Sequence, residues 1–457
     1  MNLDDYFNSQ YLHNLYNERL SNSKAKGIDK LNSESFNKNK DEVIETICRK
    51  VLSNTYEFSP YTEVLKLKGR SSLPRIISIP TIRDRIVLLT IKEILHEAFS
   101  ENVNRRLPNS YIRDIKKYIA SSDETKYFLK LDVEKFYDRI DQTLLLEKLQ
   151  LNNLDTRIVT LIARAISTPT VPINSEKTNY GLFASKIGVP QGLSVSNILA
   201  QIYLDELDKV FDKRKYFYRR YVDDIIILNT SVITKFRFEN VKLALEKVKL
   251  NLNEKKTEQG SLDEGFSFLS YKIMSNKISI ADKNIQVFIR RIAGKFTWFK
   301  NGIDNINRRP VWLTEDERFK EVFIEELNET ITGIVSSRKN YGWLFYFSEM
   351  NDESLLFKLD KIISEFFTTL AIFGNSAPTS LKTLVRSFNV IKHKGHKHYL
   401  SNYDNYDSIR SKRSFLLFRG KIDPEQDYSD FQITSLFERY KVKQILNVEK
   451  DIGYRYM

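Results

Sequence analysis

The spacing of hydrophobic residues predicts a chain in which helices and short strands alternate. A polar, helical region is expected before residue 60, with a break at Gly27. Residues 61–81 alternate between polar and apolar positions and are rich in Val and Ile, which predicts two strands joined by the turn GRSS (69–72). Residues 84–99 carry apolar side chains at helical spacing, which predicts an amphipathic helix.

A second group of elements is predicted further along the chain. Residues 126–136 begin as a strand, and residues 141–150 form a helix for which Asp141 is the expected N-cap. Residues 194–211 predict a long helix after the loop GVPQGL (188–193). The next elements are a strand–turn–strand hairpin around YVDD (221–224), a helix over 236–250 and a strand pair over 265–280.

The order of these elements bounds the fold class. Repeated strand and helix units that end in a hairpin favour an α+β fold over a parallel, doubly wound sheet. After about residue 285 the chain becomes mostly helical and rich in lysine, and GNSAPTS (374–380) marks a further break. The sequence thus predicts three regions, which span 1–285, 286–373 and 374–457.

The balance of charges indicates the kind of partner. The 457 residues include 72 Lys and Arg against 59 Asp and Glu, which gives a formal net charge of +13. This balance suits a polyanion, nucleic acid before a membrane surface, although a solvated basic surface has the same composition. Some of the 24 Tyr and 29 Phe are candidates for stacking on bases, while most are expected in the core.

Cysteine content and hydropathy bear on the cellular setting. A single cysteine, Cys48, excludes a disulfide framework or a Cys-based zinc site within one chain. The segment MNLDDYFNSQ (1–10) has no signal-peptide core, and no window approaches the ~18 uncharged apolar residues of a membrane span. We therefore expect a soluble, cytoplasmic protein without a membrane partner.

The YVDD hairpin carries the first candidate chemistry. Asp223 and Asp224 are adjacent anions between apolar runs, where they repel each other, and an ordinary turn would use Asn-Gly or Asp-Gly. Asp132 ends an apolar strand, where a buried acid is costly unless it is paired or bound to metal. If that strand lies beside the hairpin, Asp132 and Asp223 face the same point. Two Mg²⁺ ions held there would clamp a phosphoryl displacement, which is the chemistry of nucleotide polymerisation.

Six sequence blocks resemble, in their order, the reverse transcriptases of bacteria, similar to group II intron and retron enzymes. One acidic hairpin alone is weak evidence, but six ordered blocks over roughly residues 25–275 are a strong signal. The resemblance implies a right-hand polymerase with fingers and palm in 1–285, a helical thumb in 286–373 and a basic, helical extension in 374–457. The blocks are LPRIISIPTIRDRIV (73–87), FLKLDVEKFYDRID (128–141), GVPQGLSVSNILAQIYLDELD (188–208), YVDD (221–224), LNEKKTEQG (252–260) and FSFLSYKI (266–273).

This resemblance implies a role for each acid. Asp132 and Asp223 become metal ligands, together with the backbone of Val133, and Asp224 becomes a supporting carboxylate. The three acids are the implied catalytic residues. The implied cofactor is a pair of Mg²⁺ ions, with Mn²⁺ as an alternative.

Three further residues are implied at the incoming nucleotide. Tyr137 matches an aromatic residue that blocks a 2′-hydroxyl, and a core tyrosine is the alternative. Gln191 and Gly192 lie in a loop expected against the base and sugar, where glycine allows a close backbone approach. Without the resemblance, their Pro-Gln-Gly run is an ordinary turn.

Basic residues are implied at the phosphates of the nucleotide. Arg75 is expected to meet the triphosphate, since guanidinium binds phosphate with two hydrogen bonds. Lys256 matches a lysine that protonates the leaving pyrophosphate, and its neighbour Lys255 is the alternative. Residues that either assist Arg75 or carry ordinary surface charge are Lys66, Lys68 and Arg70.

The second half of the chain offers nucleic-acid contacts. Residues 328–347 are expected to form part of the thumb, a helical element in which Arg338 and Lys339 contact phosphate, unless they are only a solvent face. The run KHKGHKHY (392–399) suits a basic phosphate-binding loop better than a zinc site, because lysines repel cations. Its histidines are His393, His396 and His398.

Function follows from the resemblance. We expect an RNA-directed DNA polymerase, a nucleotidyltransferase that extends a primer with dNTPs on an RNA template to make DNA. The chain lacks the retron-type NAxxH signature and looks most like defence-associated and abortive-infection reverse transcriptases, which implies antiphage defence with a dedicated non-coding RNA. Alternatives are template-independent or protein-primed synthesis, and a vestigial nucleic-acid-binding scaffold. For protein-primed synthesis the candidate residues are Tyr403, Tyr406, Tyr454 and Tyr456. Assembly as a homo-oligomer or with a partner protein is a further open alternative.

Overall fold

The structure, a computed structural model, divides into two compact units. Unit 1 comprises Met1–Arg106 and Lys126–Gly260, and unit 2 comprises Leu107–Thr125 and Ser261–Tyr456. The sequence predicts three regions with boundaries at residues 285 and 373, whereas the structure divides into two units. The three-region division stays a prediction. The residues described are 3–21, 23, 25–67, 73–100, 103, 106–152, 154–213, 216–231, 235–393 and 397–450.

Helices account for most of the regular structure in the described residues, and none of these helices is long and apolar enough to cross a membrane. In chain order they are α1 (Ser9–Arg19), α2 (Ser33–Phe36), α3 (Lys40–Leu52), α4 (Ile82–Ala98), α5 (Pro108–Ile119), α6 (Phe136–Arg139), α7 (Gln142–Gln150), α8 (Thr156–Ser167), α9 (Ser196–Tyr203), α10 (Asp205–Asp212), α11 (Lys235–Glu246), α12 (Asp282–Asp304), α13 (Asp316–Thr332), α14 (Trp343–Tyr346), α15 (Glu353–Phe367), α16 (Leu384–His393), α17 (Ile409–Phe418) and α18 (Asp430–Val448).

The strands are short and form small sheets. In chain order they are β1 (Tyr61–Lys66), β2 (Arg75–Ile79), β3 (Tyr127–Asp132), β4 (Thr170–Val171), β5 (Phe217–Tyr221), β6 (Asp224–Asn229), β7 (Glu258–Ser261), β8 (Phe266–Phe268), β9 (Tyr271–Ile273), β10 (Ile278–Ile280), β11 (Ile334–Ser336), β12 (Lys339–Tyr341) and β13 (Ser401–Asn402). The mixture of helices with mainly antiparallel strands confirms the predicted α+β class.

Unit 1 contains two sheets. In the four-stranded sheet the order is β5-β6-β3-β7, and β6 runs antiparallel to both β5 and β3. Its central strand β6 is buried from Ile225 to Asn229, which explains why that run is almost wholly apolar. In the other sheet, of order β2-β1-β4, β1 is antiparallel to β2 and parallel to β4.

Several local predictions for unit 1 are confirmed. The strand pair β1/β2 forms in the register that sets Lys66 opposite Arg75, while the predicted turn 69–72 lies outside the described residues. Asp141 caps α7, because its Oδ1 accepts a hydrogen bond from the Leu144 amide at 3.0 Å. Local signals were sufficient here, since a cap and a strand pair are specified by neighbouring residues.

Two predicted elements need correction. The long helix over 194–211 is in fact α9 and α10, which Leu204 separates with a non-helical backbone. The strand pair over 265–280 is a three-stranded sheet of order β10-β9-β8. A tight turn joins β8 to β9, and both of its residues, Leu269 and Ser270, have positive φ angles of 48° and 68°. Non-glycine residues rarely adopt this backbone, so the turn had no sequence signal.

Unit 2 packs its helices around aromatic side chains. Phe299 of α12 stacks on Phe319 and Phe323 of α13, with ring centroids 5.0 and 4.3 Å apart. Phe296 meets Phe367 of α15 edge to face at 4.9 Å. Such contacts place most of the Phe side chains of this part of the chain in the core, whereas Phe357 and Phe431 are exposed.

The helical prediction for residues 328–347 is wrong over its middle part. Helix α13 ends at Thr332, and β11 and β12 then form an antiparallel hairpin. Its turn residues Ser337 and Arg338 have φ angles of 50° and 60°, and the Asp404 carboxylate accepts hydrogen bonds from both of their amides. The acid that fixes this turn is distant in sequence, so local periodicity could not reveal it.

Candidate active site

A strained hairpin turn forms the tip of the four-stranded sheet. β5 and β6 pair as far as Tyr221 and Asp224, which leaves only Val222 and Asp223 between them. Val222 has a φ of 56°, a left-handed conformation that is unfavourable for a β-branched residue. Glycine would adopt this turn without strain, so valine must be held in place by its surroundings.

Arg220 provides that support. Its Nη1 donates to the Val222 carbonyl at 2.9 Å, and its Nε donates to Asp208 of α10 at 2.8 Å. A second guanidinium nitrogen also contacts Asp208, and the Tyr218 hydroxyl donates to the same carboxylate at 2.7 Å. Sequence reasoning missed this pair of positioning residues. The available signal was a charged Arg220 next to a buried apolar strand, without an indication of its partner.

The first predicted acid lies directly beside this turn. The register of β3 on β6 sets Asp132 opposite Asp224, and the Val133 amide donates to the Asp223 carbonyl at 3.1 Å. Asp132 is buried, with 10% of its side chain exposed. The structure therefore brings Asp132, Val133, Asp223 and Asp224 together at the end of one sheet, and their roles as metal ligands stay predictions.

Electrostatics at the hairpin tip reflect this crowding of acids. The pKa of Asp223 is raised to about 6, mainly by burial, with the negative charges of Asp224 and Asp132 adding to the effect. The positive charge of Arg75 acts in the opposite direction. The raised pKa means that the surrounding positive charges and hydrogen bonds do not offset the cost of a buried negative charge on Asp223. A bound cation would stabilise that charge.

Asp132 has two partners of its own. Lys256 places Nζ 2.8 Å from Oδ1, and the Asn253 amide donates to Oδ2 at 3.2 Å. The backbone N–H of Asn253 also donates to the backbone carbonyl of Asp132, at 2.8 Å. The sequence prediction placed Lys256 at the leaving pyrophosphate and did not anticipate that it pairs with Asp132, and Asn253 was not singled out at all.

The donor set fits divalent metal. Carboxylate and carbonyl oxygens are the ligands that Mg²⁺ prefers, and Asp132, Asp223 and the Val133 carbonyl are the groups that would hold it. Within the ranges that the structure describes, however, no three His, Cys, Asp or Glu side chains form a group able to hold a metal. The backbone register sets Asp132 beside the acidic turn, and Lys256 and Asn253 contact the two carboxylate oxygens of Asp132.

Two predicted nucleotide-binding residues lie near the acids. Tyr137, in the short helix α6, is half-buried against the core. Burial raises the pKa of Tyr137, and the neighbouring charge of Asp223 raises it further while Arg75 lowers it. Arg75 begins β2, is exposed, and acts electrostatically on both Asp223 and Tyr137. Of its possible helpers, Lys66 is exposed, whereas Lys68 and Arg70 lie outside the described residues.

The Gln191–Gly192 loop packs on β2. The Ser78 amide donates to the Gln191 carbonyl at 2.7 Å, and the Gln191 side chain donates to Asp138 at 3.0 Å. Gly192 has a φ of +108°, and a Cβ built on it would lie 2.7 Å from Ile77 Cγ2 and 2.9 Å from the Ser78 carbonyl oxygen. The close approach expected of this glycine is therefore made to a strand. Its approach to a nucleotide stays a prediction.

The other predicted binding residues belong to unit 2. Arg338 and Lys339 are exposed at the turn and start of β12, not on a helix. His393 ends α16, His398 is exposed, and His396 lies outside the described residues. The roles predicted for them in nucleic-acid or phosphate binding stay predictions.

These features describe an antiparallel sheet with an acidic turn beside a buried strand-end aspartate, which is the palm arrangement that the sequence resemblance implied. Residues 66–273 match the family model described as reverse transcriptase (RNA-dependent DNA polymerase). Residues 66–273 of the chain are therefore assigned to a reverse transcriptase domain. This domain and its relatives support the predicted enzyme class, a nucleotidyltransferase of the RNA-directed DNA polymerase type.

Curated relatives agree with this assignment. The chain is 24% identical over 298 residues to protein YkfC of Escherichia coli, a match covering 55% of this chain and 76% of YkfC. It is 26% identical over 226 residues to the group II intron-encoded protein LtrA of Lactococcus lactis, covering 46% and 36%. A retron Ec83 reverse transcriptase of Escherichia coli is 27% identical over 165 residues, covering 36% and 51%. The chain thus spans about a third of LtrA and half of the retron enzyme.

Solved structures include more distant similarities. Telomerase from Candida albicans, determined in complex with a fragment of telomeric RNA, has a TM-score of 0.46 and 13% sequence identity. That match covers 93% of this chain and 69% of the telomerase chain. Similarity at this level adds nothing to the family assignment.

Proposed function

We propose that this chain extends the 3′ end of a primer with dNTPs on an RNA template, and so makes DNA. The observation that carries the proposal is the register of β3 on β6, which sets Asp132 opposite Asp224 with Asp223 at the adjoining turn. An acid on a buried strand end, a second on a strained turn and a third at the start of the next strand are expensive to keep, which is understandable if they serve chemistry.

Divalent metal is part of this proposal. Asp132, Asp223 and the Val133 carbonyl would hold it, and Asp224 would add negative charge nearby. The bound metal supplies activation of the attacking 3′-hydroxyl and neutralisation of the departing pyrophosphate. In the reaction, the primer 3′-hydroxyl releases its proton to solvent water and its oxygen bonds to the α-phosphorus, while the bond from that phosphorus to the bridging oxygen of the β-phosphate breaks. Lys256, whose ammonium lies beside Asp132, would give its proton to the pyrophosphate that leaves.

Recognition of the deoxynucleotide would rest on residues beside the acids. The Tyr137 ring, half-buried near Asp223, would exclude a 2′-hydroxyl by its bulk. Gln191 is held by Asp138 and by the Ser78 amide, which keeps its loop in one position for contact with the base and sugar. Arg75 would bind the triphosphate, because its exposed guanidinium is already close enough to influence Asp223.

The biological setting we propose is antiphage defence in the cytoplasm, with a dedicated non-coding RNA as template or partner. The net charge of +13 supports binding of a polyanion, and Arg338 and Lys339 are exposed for such contacts. Protein priming is less well supported for Tyr403, which is buried and donates its hydroxyl to Glu329 at 3.0 Å. Tyr406 is half-buried, and Tyr454 and Tyr456 lie outside the described residues.

A primer-extension assay with defined RNA templates tests the proposed activity. The purified full chain is given a DNA primer, Mg²⁺ and dNTPs on two RNA templates that differ at known positions, and the products are sequenced. Products that follow each template support the proposal. Identical products with either template, or without RNA, would instead support template-independent synthesis, and no product from the wild-type chain with any template would favour a nucleic-acid-binding scaffold.

A further inference from the structure

Unit 2 contains a cavity that the proposed polymerase function does not use. Its volume is about 250 Å³, and helices α12 and α18 and the segments after α12 and α17 contribute to its walls. Basic residues predominate among its charged lining residues. Lining residues that bear on ligand binding are four cations, one acid and one amide: Lys295, Arg308, Lys421, Lys443, Glu326 and Gln444.

Three of these cations lack a direct polar contact among the residues that the structure describes. The side chains of Arg308, Lys421 and Lys443 make no hydrogen bond or ion pair there. Lys421 is half-buried and only approaches the face of the Tyr440 ring, at 5.6 Å. By contrast, each guanidinium nitrogen of Arg309, which also borders the cavity, donates a hydrogen bond, to Gly302, Thr314 and Asp316 respectively.

Glu326 does not neutralise this charge. Its carboxylate is shared with Lys295 at 3.8 Å, with Arg419 at 3.9 Å and with the Tyr440 hydroxyl at 3.3 Å. Burial lowers the pKa of Lys421, and the positive charges of Lys443 and Arg419 lower it further while Glu326 opposes the shift. The cavity therefore carries more positive charge than its own acid compensates.

A buried amide supports the presence of a ligand. Gln444 is 7% exposed, lines the cavity, and its side chain makes no hydrogen bond in the described part of the chain. An amide that lines the cavity without a protein partner leaves its N–H donors available to a bound anion. An anion would satisfy this amide and the unpaired cations at the same time.

We infer that this cavity binds a compact phosphate anion, the diphosphate or triphosphate group of free pyrophosphate or of a nucleotide. Three unpaired cations and a free amide match the many acceptor oxygens of such a group. The volume lies below the range usual for larger organic ligands, and it is too small for a nucleic-acid helix. The inference does not depend on the proposed polymerase activity, because every residue that carries it belongs to unit 2.

Calorimetry with the full chain tests this inference. Sodium pyrophosphate, dATP and a decamer of uridylate are titrated separately into the protein in EDTA, so that metal-dependent binding at Asp132 and Asp223 is suppressed. We expect one pyrophosphate or one dATP to bind per chain. The Arg308→Glu/Lys443→Glu variant, which reverses two exposed charges, should bind at least about tenfold more weakly, since each charge-assisted hydrogen bond is strong.

Matched variants distinguish a site from general attraction. Lys300→Glu/Lys361→Glu makes the same change of charge at two exposed positions of unit 2 outside the cavity, and should bind like the wild type. Asp223→Asn should also bind pyrophosphate normally, because the polymerase acids belong to unit 1. Equal loss in both double variants, loss in Asp223→Asn, or no binding of either small anion by the wild type would overturn the inference. So would tighter binding of the decamer that displaces pyrophosphate, since the cavity would then serve RNA phosphates.

Folding of the charge-reversed variant is checked by circular dichroism and thermal unfolding. Both substituted side chains are exposed, so the fold should be kept. If that variant precipitates, Lys443→Gln and Lys300→Gln form a milder pair for the same titration, and weaker binding in the first alone supports the site.

Discussion

Lys256 and Asp132 form an ion pair in the candidate active site, with Nζ 2.8 Å from Oδ1. The lysine side chain is 63% exposed, whereas the aspartate side chain is only 10% exposed. One oxygen of a proposed metal ligand is therefore occupied by an ammonium group that can leave easily. A divalent cation and Lys256 would compete for the same oxygen.

Replacement of Lys256 by Gln should tighten cation binding while it slows synthesis. The ammonium group of the pair is solvated and contributes about 1 kcal/mol at most, so removal of this competitor should lower the dissociation constant for Mn²⁺ by up to about fivefold. The maximal rate of primer extension should fall at least about a hundredfold if Lys256 protonates pyrophosphate. Calorimetry with Mn²⁺ and single-turnover kinetics at saturating metal measure the two effects separately.

Lys255→Gln is the matched control for this change. Lys255 is the exposed neighbour in the same turn and lacks the contact with Asp132. Its replacement should therefore change neither the dissociation constant for Mn²⁺ nor the maximal rate of primer extension. If Lys255→Gln abolishes synthesis and Lys256→Gln does not, the two lysines have been assigned the wrong way round.

The raised pKa of Asp223 predicts a pH dependence of cation binding. With a pKa of about 6, the carboxyl binds a proton below pH 6 and must release it before it can ligate metal. The affinity for Mn²⁺ should be level above about pH 7 and fall by up to about tenfold per unit as the pH drops below 6. Calorimetric titrations between pH 5 and pH 8 measure this dependence.

Asp223→Asn is the control for the pH effect. Its weaker cation binding should no longer change near pH 6, because the titrating group is gone. Wild-type affinity that stays level down to pH 5 would show that Asp223 titrates at its ordinary pKa and that the acids are not crowded as described.

Gly192→Ala should disturb the loop that carries Gln191. The new Cβ would lie 2.7 Å from Ile77 Cγ2, on a backbone with a φ of +108°, so the loop must move away from β2. We expect a loss of about 1–3 kcal/mol in unfolding free energy and a higher KM for dNTPs. Chemical denaturation and steady-state primer extension measure these changes.

Gly181→Ala is the corresponding control in the same unit. A Cβ at Gly181 meets no atom within 4 Å, so stability and KM should stay at the wild-type values. Unchanged kinetics in Gly192→Ala would mean that the loop does not contact the nucleotide.

Tyr137→Ala should reduce the preference for deoxynucleotides. If the ring excludes a 2′-hydroxyl by its size, its removal should lower the ratio of kcat/KM for dNTP over rNTP by roughly tenfold to a hundredfold. Tyr137→Phe keeps the ring and should keep the ratio. Tyr137 also packs against the core, so thermal unfolding is recorded for both variants. An unchanged ratio in a folded Tyr137→Ala protein would assign Tyr137 to the core alone.

Sequence alone predicted the parts of the fold that neighbouring residues specify. The strands around YVDD, the cap at Asp141 and the helix beginning near residue 84 each follow from a local pattern of apolar and polar residues. The order of the six sequence blocks also placed the strand that ends at Asp132 beside the hairpin that carries Asp223.

Contacts between distant residues could not be predicted in this way. The pairs Arg220–Asp208 and Lys256–Asp132 join separate elements, and the β11/β12 turn depends on Asp404. In each case a charged side chain was visible in the sequence, but its partner was not. The difference matters chemically, because the partner of Asp132 determines how a metal ion would enter.

A comparison of Asp132→Asn with Glu134→Gln tests the central claim most directly. Both variants neutralise an acid on the same segment, but Glu134 forms a surface ion pair with Arg139 at 3.0 Å and has no assigned role in the chemistry. On an RNA template with Mg²⁺ and dNTPs, we predict that Asp132→Asn loses at least about a hundredfold in primer-extension rate and that Glu134→Gln keeps the wild-type rate. RNA-templated DNA synthesis by a folded Asp132→Asn protein at the wild-type rate would contradict the account.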